Sequence, residues 1–235
     1  FGADAREPVF VNEMSAVARL FESRFAATDR SVVMLNNRST VRQAPLANVH
    51  NLGRTINEIG KRMDGDEDVL FLYLSAPALT NGDLEPVFEP LDFVRIHPSA
   101  IRQMMDEADI KNRVIVLSAC SAEGFADQLR GPNTLVVVAT GRPKHDHACT
   151  GDAPFTPFGQ AFFGDALSRN YDISAAADLL RDAEPDGGKI DIRVGENIAA
   201  ALASLATQLE ADFAEATAIP TVKAPKLRAP RIRQQ

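Results

Sequence analysis

The sequence predicts an α/β fold with a mostly parallel central sheet covered by helices on both faces. Four short apolar runs, near residues 32–36, 69–74, 114–119 and 134–139, have strand length and no polar alternation. That is the pattern of strands buried on both faces. Segments of helical period separate them, the order expected of parallel strands joined by crossover helices. The composition suits one such domain: of 235 residues, 45% are hydrophobic, and no break in composition falls before residue 217. A chain of that size can bury a substantial core.

Val17, Leu20, Phe21 and Phe25 recur at helical spacing and predict a first helix over roughly 12–27,. Val32-Val33-Met34-Leu35 follows as a short buried strand closed by Asn36-Asn37. Val49, Leu52, Ile56, Ile59 and Met63 form the next helical stripe, and Asp64-Gly65-Asp66 stops it,. Residues 69–74 are the next strand. A Pro-rich insertion spans 77–94, and Pro98 then opens a helix carrying Ile101, Met104 and Met105,. After the strand at 114–119 comes a short helix ending near Leu129, then the fourth strand. Helices are expected over 157–169, 173–182 and 196–216, and Ile190-Asp191-Ile192-Arg193-Val194 reads as a short edge strand. Right-handed crossovers place the loops after Leu35, Leu74, Leu117 and Ala139 on one edge of the sheet, where ligands and chemistry gather in such folds.

Residues 218–235 differ from the rest. Pro220, Pro225 and Pro230 alternate with Lys223, Lys226, Arg228, Arg231 and Arg233, with no acid among them. The tail is expected to be disordered, either a solvated linker or a basic arm for an acidic partner or membrane surface. The expected organisation is therefore a domain over 1–217 and a basic tail over 218–235.

Composition excludes several classes. A net charge of −7 argues against a nucleic-acid-binding body,. The longest apolar runs fall far short of the ~20 residues that a membrane-spanning helix needs. Two cysteines, Cys120 and Cys149, do not make a disulfide scaffold,. The sequence opens at Phe1 rather than Met, which fits export with removal of a leader. Abundant Ala, and Arg outnumbering Lys 19 to 6, fit a GC-rich bacterial source. Neither fixes a compartment.

The strongest candidate for chemistry is the strand end Leu117-Ser118-Ala119-Cys120-Ser121-Ala122-Glu123-Gly124-Phe125. A cysteine there ends a buried strand and starts a tight turn into a helix. Backbone N–H groups at such a turn favour a thiolate and can hold an oxyanion. The competing reading is a small buried filler.

At this point the chain resembles the C13 peptidases, the legumain-like family of caspase-type fold that also includes the transamidase attaching lipid anchors. The likeness is to the short bacterial members and runs from about Val9 to about Leu209. It rests on Asn36-Asn37, Thr55-Ile56-Asn57, residues 68–74, the strand Asn112-Arg113-Val114-Ile115-Val116-Leu117-Ser118-Ala119-Cys120, Pro132-Asn133-Thr134-Leu135-Val136, and Phe155-Thr156-Pro157-Phe158-Gly159-Gln160-Ala161-Phe162-Phe163. The resemblance implies a three-layer caspase/legumain-like sandwich with Cys120 at the nucleophile position. It also implies a histidine followed by glycine after the strand at 69–74, the histidine moving the proton and the glycine N–H helping to bind the oxyanion.

This sequence departs from that pattern. The strand runs into Ser75-Ala76-Pro77-Ala78, so Pro77 stands at the histidine position and Ala78 at the oxyanion glycine position. Proline has neither an acid–base side chain nor a backbone donor. Glu123, where the family has a Ser-Gly-Gly-like stretch, would disfavour a thiolate at Cys120. The three departures together imply an inactive pseudopeptidase that binds a peptide segment or protein partner. The alternative is an active cysteine endopeptidase with Cys120 as nucleophile and an unconventional base such as His97.

By position in the family, the loop after the first strand contributes to the S1 pocket, which makes Asn36, Asn37 and Arg38 cleft residues. Ser75, Gly141 and Arg142 complete the expected lining, with Arg142 able to hold an acidic group or to pair with Asp146. His145-Asp146-His147-Ala148-Cys149 has a zinc-like spacing but only three ligands in five residues, and a polar loop is the default,. His50 reads as structural. No cofactor and no metal are expected.

Overall fold

The computed structural model describes residues 1–79, 81–119, 122, 124–140, 152–185 and 188–217. Its centre is a four-stranded sheet in the order β1 (Val69–Ser75), β4 (Asn112–Ser118), β5 (Thr134–Thr140) and β6 (Lys189–Val194). The first three strands are parallel, and β6 runs antiparallel at the edge. A two-stranded hairpin, β2 (Val87–Phe88) and β3 (Leu91–Asp92), lies within the Pro-rich insertion.

Helices cover both faces. On one side α2 (Val49–Gly60), α3 (Pro98–Glu107) and α4 (Phe125–Leu129) bury Leu52, Ile56, Ile101, Met105 and Phe125 against Leu72, Leu74, Ile115 and Leu117. On the other, α1 (Pro8–Arg24), α5 (Pro157–Gly159), the π-helix Gln160–Leu167, α6 (Ile173–Asp178) and α7 (Ile198–Thr217) bury Met14, Phe162, Phe163 and Leu202 against Tyr73, Val114, Val116 and Val137. Alternate residues of β1 and β4 thus feed opposite cores, which is why these strands are apolar throughout. The α/β sandwich with a mostly parallel sheet is the predicted one.

Two expectations need correction. The first helix runs Pro8–Arg24 rather than 12–27, because Pro8 fits the first helical turn, where its missing N–H costs nothing,. The run at 32–36 forms no full strand and does not neighbour β1. Only an isolated bridge, Leu35 with Gly2, marks it, and Gly2 itself bridges Ser75. The N-terminal residues therefore stand between the 34–36 segment and β1. The Pro-rich insertion reaches the core through two residues. Its core anchors are Leu84 and Ile96, both fully buried, while Leu91 is 48% exposed.

Candidate functional site

Ser75 and Ser118 are direct partners in the β1–β4 register, and the Ala76 N–H donates to the Ser118 carbonyl at 3.3 Å. The two strands therefore end side by side, and the segments carrying Pro77 and Ala119 leave from adjacent positions. Gly124, at φ +78°, turns the chain into α4, a left-handed conformation that side chains disfavour,. Cys120, Ser121, Glu123, Gly141, Arg142 and the zinc-spaced His145, His147 and Cys149 lie outside the described residues, as does the basic tail. Among the described residues no cluster of His, Cys, Asp and Glu is arranged to hold a metal ion. None of their helices is long and apolar enough to cross a membrane.

Past β1 the backbone is committed to the insertion. The Pro77 carbonyl accepts from Glu85 N–H at 2.9 Å, and Ala78 bridges Leu84, which in turn bridges Ile96. The insertion then runs along the N-terminal segment: Val87 N–H donates to the Ala3 carbonyl at 2.7 Å, and Ala5 N–H to the Val87 carbonyl at 3.0 Å. It packs beside the sheet as an added ladder.

Three of the residues expected to line a cleft are occupied otherwise. Asn36 is fully buried. Its amide donates to the Ala47 carbonyl at 3.0 Å and its oxygen accepts from Ala47 N–H at 2.9 Å. It clasps a loop, an inward role set by the buried backbone groups around it. Asn37 folds its oxygen onto the Ser39 N–H and hydroxyl in an Asx turn,. Ser75 is fully buried too, and its hydroxyl donates to Glu13 beneath the strand ends at 3.3 Å. Arg38 is exposed and reaches the Glu89 carbonyl at 3.4 Å.

His97 caps α3. Its Nδ1 lies 2.8 Å from the Ser99 hydroxyl and accepts from Ser99 N–H at 3.2 Å. Its Nε2 is 3.7 Å from Asp83, and half of its side chain is exposed. One ring nitrogen is therefore already engaged in holding the helix start.

The sequence reading missed the polar centre under the strand ends. Glu13 of α1 is fully buried. One carboxylate oxygen accepts from the Thr156 N–H at 2.7 Å and its hydroxyl at 2.8 Å, and the other accepts from the Tyr73 and Ser75 hydroxyls. Thr156 in turn caps α5, accepting from Gly159 N–H at 3.0 Å, and meets the Ser118 hydroxyl at 3.3 Å. Burial pushes the Glu13 carboxyl above its ordinary range, although the hydrogen bonds from Tyr73 and Thr156 pull the other way,. Burial, together with the nearby Glu13 charge, also pushes the Tyr73 hydroxyl upward. This network joins α1, β1, β4 and α5 and fixes the strand ends from below. A legible signal existed: Glu13 interrupts an apolar stripe of Val9, Phe10, Met14 and Val17, where a solvated acid is out of place,.

An α/β sandwich whose parallel strands β1 and β4 end side by side is consistent with the caspase-like class. The chain is a member of the peptidase C13 family, whose model matches residues 21–182 and so includes β1, Pro77 and the Cys120 turn. No curated protein matches the chain.

Proposed function

We propose that this C13 domain is a pseudopeptidase that binds an extended peptide segment or a protein partner without cleaving it. The observation that carries the reading is Pro77, the residue at the family's histidine position. It offers no acid–base group and no N–H, and its carbonyl is bonded to Glu85 in the insertion's first turn,. A thiol at Cys120 without a neighbouring imidazole stays largely protonated at neutral pH. The leaving amine would also find no acid.

The insertion's ladder is built against residues 3–5, and the reading takes the neighbouring strand ends to be accessible to a partner. An extended peptide could lie across the ends of β1 and β4. Native-state alkylation with iodoacetamide, mapped by mass, tests the groove. Modification of Cys120 in the native state is expected, at the slow rate of an unactivated thiol, whereas a Cys120 that reacts only after unfolding removes the peptide groove. The active alternative, with an unconventional base such as His97, makes a separate demand: peptide turnover lost in Cys120→Ala and, if His97 is that base, in His97→Ala as well.

A further inference from the structure

β6 is the outer strand of the sheet, and among the described residues no strand lies beyond it. It pairs with β5 in unbroken register, from Lys189 opposite Thr140 to Val194 opposite Leu135. That register fixes which backbone groups face outward. One step past β6, Gly195 N–H donates to the carbonyl of its opposite residue, Thr134, at 2.9 Å. At the other end the Thr140 hydroxyl donates to the Lys189 carbonyl at 3.1 Å. Residues bonded inward in an antiparallel ladder alternate with residues turned outward. Lys189, Asp191 and Arg193 therefore bond β5, while Ile190, Ile192 and Val194 aim their N–H and carbonyl groups at the free edge.

The side chains divide in the same rhythm. Ile190 and Ile192 are half-buried and pack against the core that holds Phe163 and Leu202. Val194, next on that face, is 40% exposed. The other face carries Lys189, Asp191 and Arg193, alternately basic, acidic and basic. There Arg193 pairs with Asp191 at 3.0 Å and reaches Asp127 of α4 at 3.5 Å. Sheet edges are kept from pairing by proline, by bulges or by charge. β6 has neither proline nor bulge. Charge is the remaining device, and the order of the charges decides what it excludes.

We propose that the β6 edge is an interface for a second copy of this chain, the two β6 strands running antiparallel about a two-fold axis at Ile192. In that register Ile192 meets its own copy and Ile190 meets Val194 of the second copy. All of these are outward residues, so their hydrogen-bonded pairs are complete. Asp191 then stands opposite Arg193 of the second copy, and symmetry makes the contact twice. An axis at Asp191 instead sets Asp against Asp and Lys189 against Arg193, and like charges directly opposite are destabilising. An axis at Ile190 puts Gly188 opposite Ile192 and forfeits the apolar pair. The charges thus exclude one register and favour another. A second copy fits better than an unrelated strand because the edge is complementary to itself, in charge and in apolar stripe. Ile190, Ile192 and Val194 of the two copies then join the cores of two sandwiches across the axis.

Sedimentation of the full chain tests this. Its mass should double as the concentration rises from about 1 to about 200 µM, the behaviour of a small interface. Asp191→Arg and Arg193→Asp should each weaken association by about 100-fold, because each sets like charges opposite one another twice. An equimolar mixture of the two variants should associate again, since every Arg of one then faces an Asp of the other. Loss of the pair within one chain cannot produce that recovery. Amide exchange at Ile190, Ile192 and Val194 should slow as concentration rises, while Asp191 and Arg193, already bonded to β5, stay unchanged. A chain that is monomeric throughout the range overturns the proposal. So does a dimer that both single charge variants leave intact, or one that their mixture fails to restore.

Discussion

Glu13 is the residue whose replacement the structure prices most sharply. Truncation to Ala strands the buried Thr156 N–H and the Tyr73 hydroxyl without acceptors. Each such loss costs about 1–3 kcal/mol, and the vacated volume adds to it, for a total of about 4 kcal/mol. That corresponds to a Tm drop of about 10 °C or more. Glu13→Gln should behave differently. Its oxygen can stay on Thr156 while its NH₂ faces the Tyr73 and Ser75 hydroxyls, both of which can accept, so the cost is about 1 kcal/mol. The pH dependence follows from the raised Glu13 pKa. Below the ordinary carboxyl value of 4.5 both folded and unfolded states hold the proton. As pH rises, the unfolded state releases it first, so the group's contribution is full below that value and is lost through the higher folded value. The advantage of the parent chain over Glu13→Gln should therefore be larger near about pH 4 than at pH 7. Urea unfolding with matched m-values measures all three quantities. An Ala variant within about 1 kcal/mol of the parent, or a Gln variant less stable than Ala, refutes the reasoning.

Other outcomes follow from the same contacts. Gly159→Ala places a methyl 1.8 Å from the inner oxygen of Glu13, and thermal melts should show a loss of at least about 2 kcal/mol. Asn36→Ala leaves both backbone groups of Ala47 buried without partners, at about 2–3 kcal/mol by chemical denaturation. Pro77→His alone should restore no peptidase activity, because Ala78 and Glu123 remain. The combination with Ala78→Gly and Glu123→Gly has the better chance, and robust turnover in the single variant would show those two changes to be unimportant.

The parallel core was legible because strands buried on both faces carry unbroken apolar runs. Residues 69–74, 114–119 and 134–139 fall within two residues of β1, β4 and β5. The antiparallel edge at Lys189–Val194 was legible too, since Ile190 and Ile192 alternate with polar residues. The place of the 32–36 run was not, because local sequence specifies extended backbone but not which neighbour it meets. That depended on Gly2, far away in the chain. The hairpin at Val87–Phe88 and Leu91–Asp92 was missed because two-residue strands leave no period to read. The π-wound turn at Gln160–Leu167 keeps the apolar spacing of an α-helix and so looks like one,. At the site, Asn36 and Ser75 sit where the family pattern puts them along the chain, but polar side chains at strand ends can turn inward or outward. The buried carboxylate at Glu13 turned two such groups, Ser75 and Ser118, toward the interior network.

The most direct measurement is hydrolysis of a fluorogenic peptide panel, including substrates with Asn or Asp before the scissile bond, by the chain and by Cys120→Ala in parallel. If the proposal holds and Cys120 has no base to take its proton, the chain should turn over none of them faster than the Cys120→Ala variant. Turnover in the parent chain that Cys120→Ala abolishes contradicts the account.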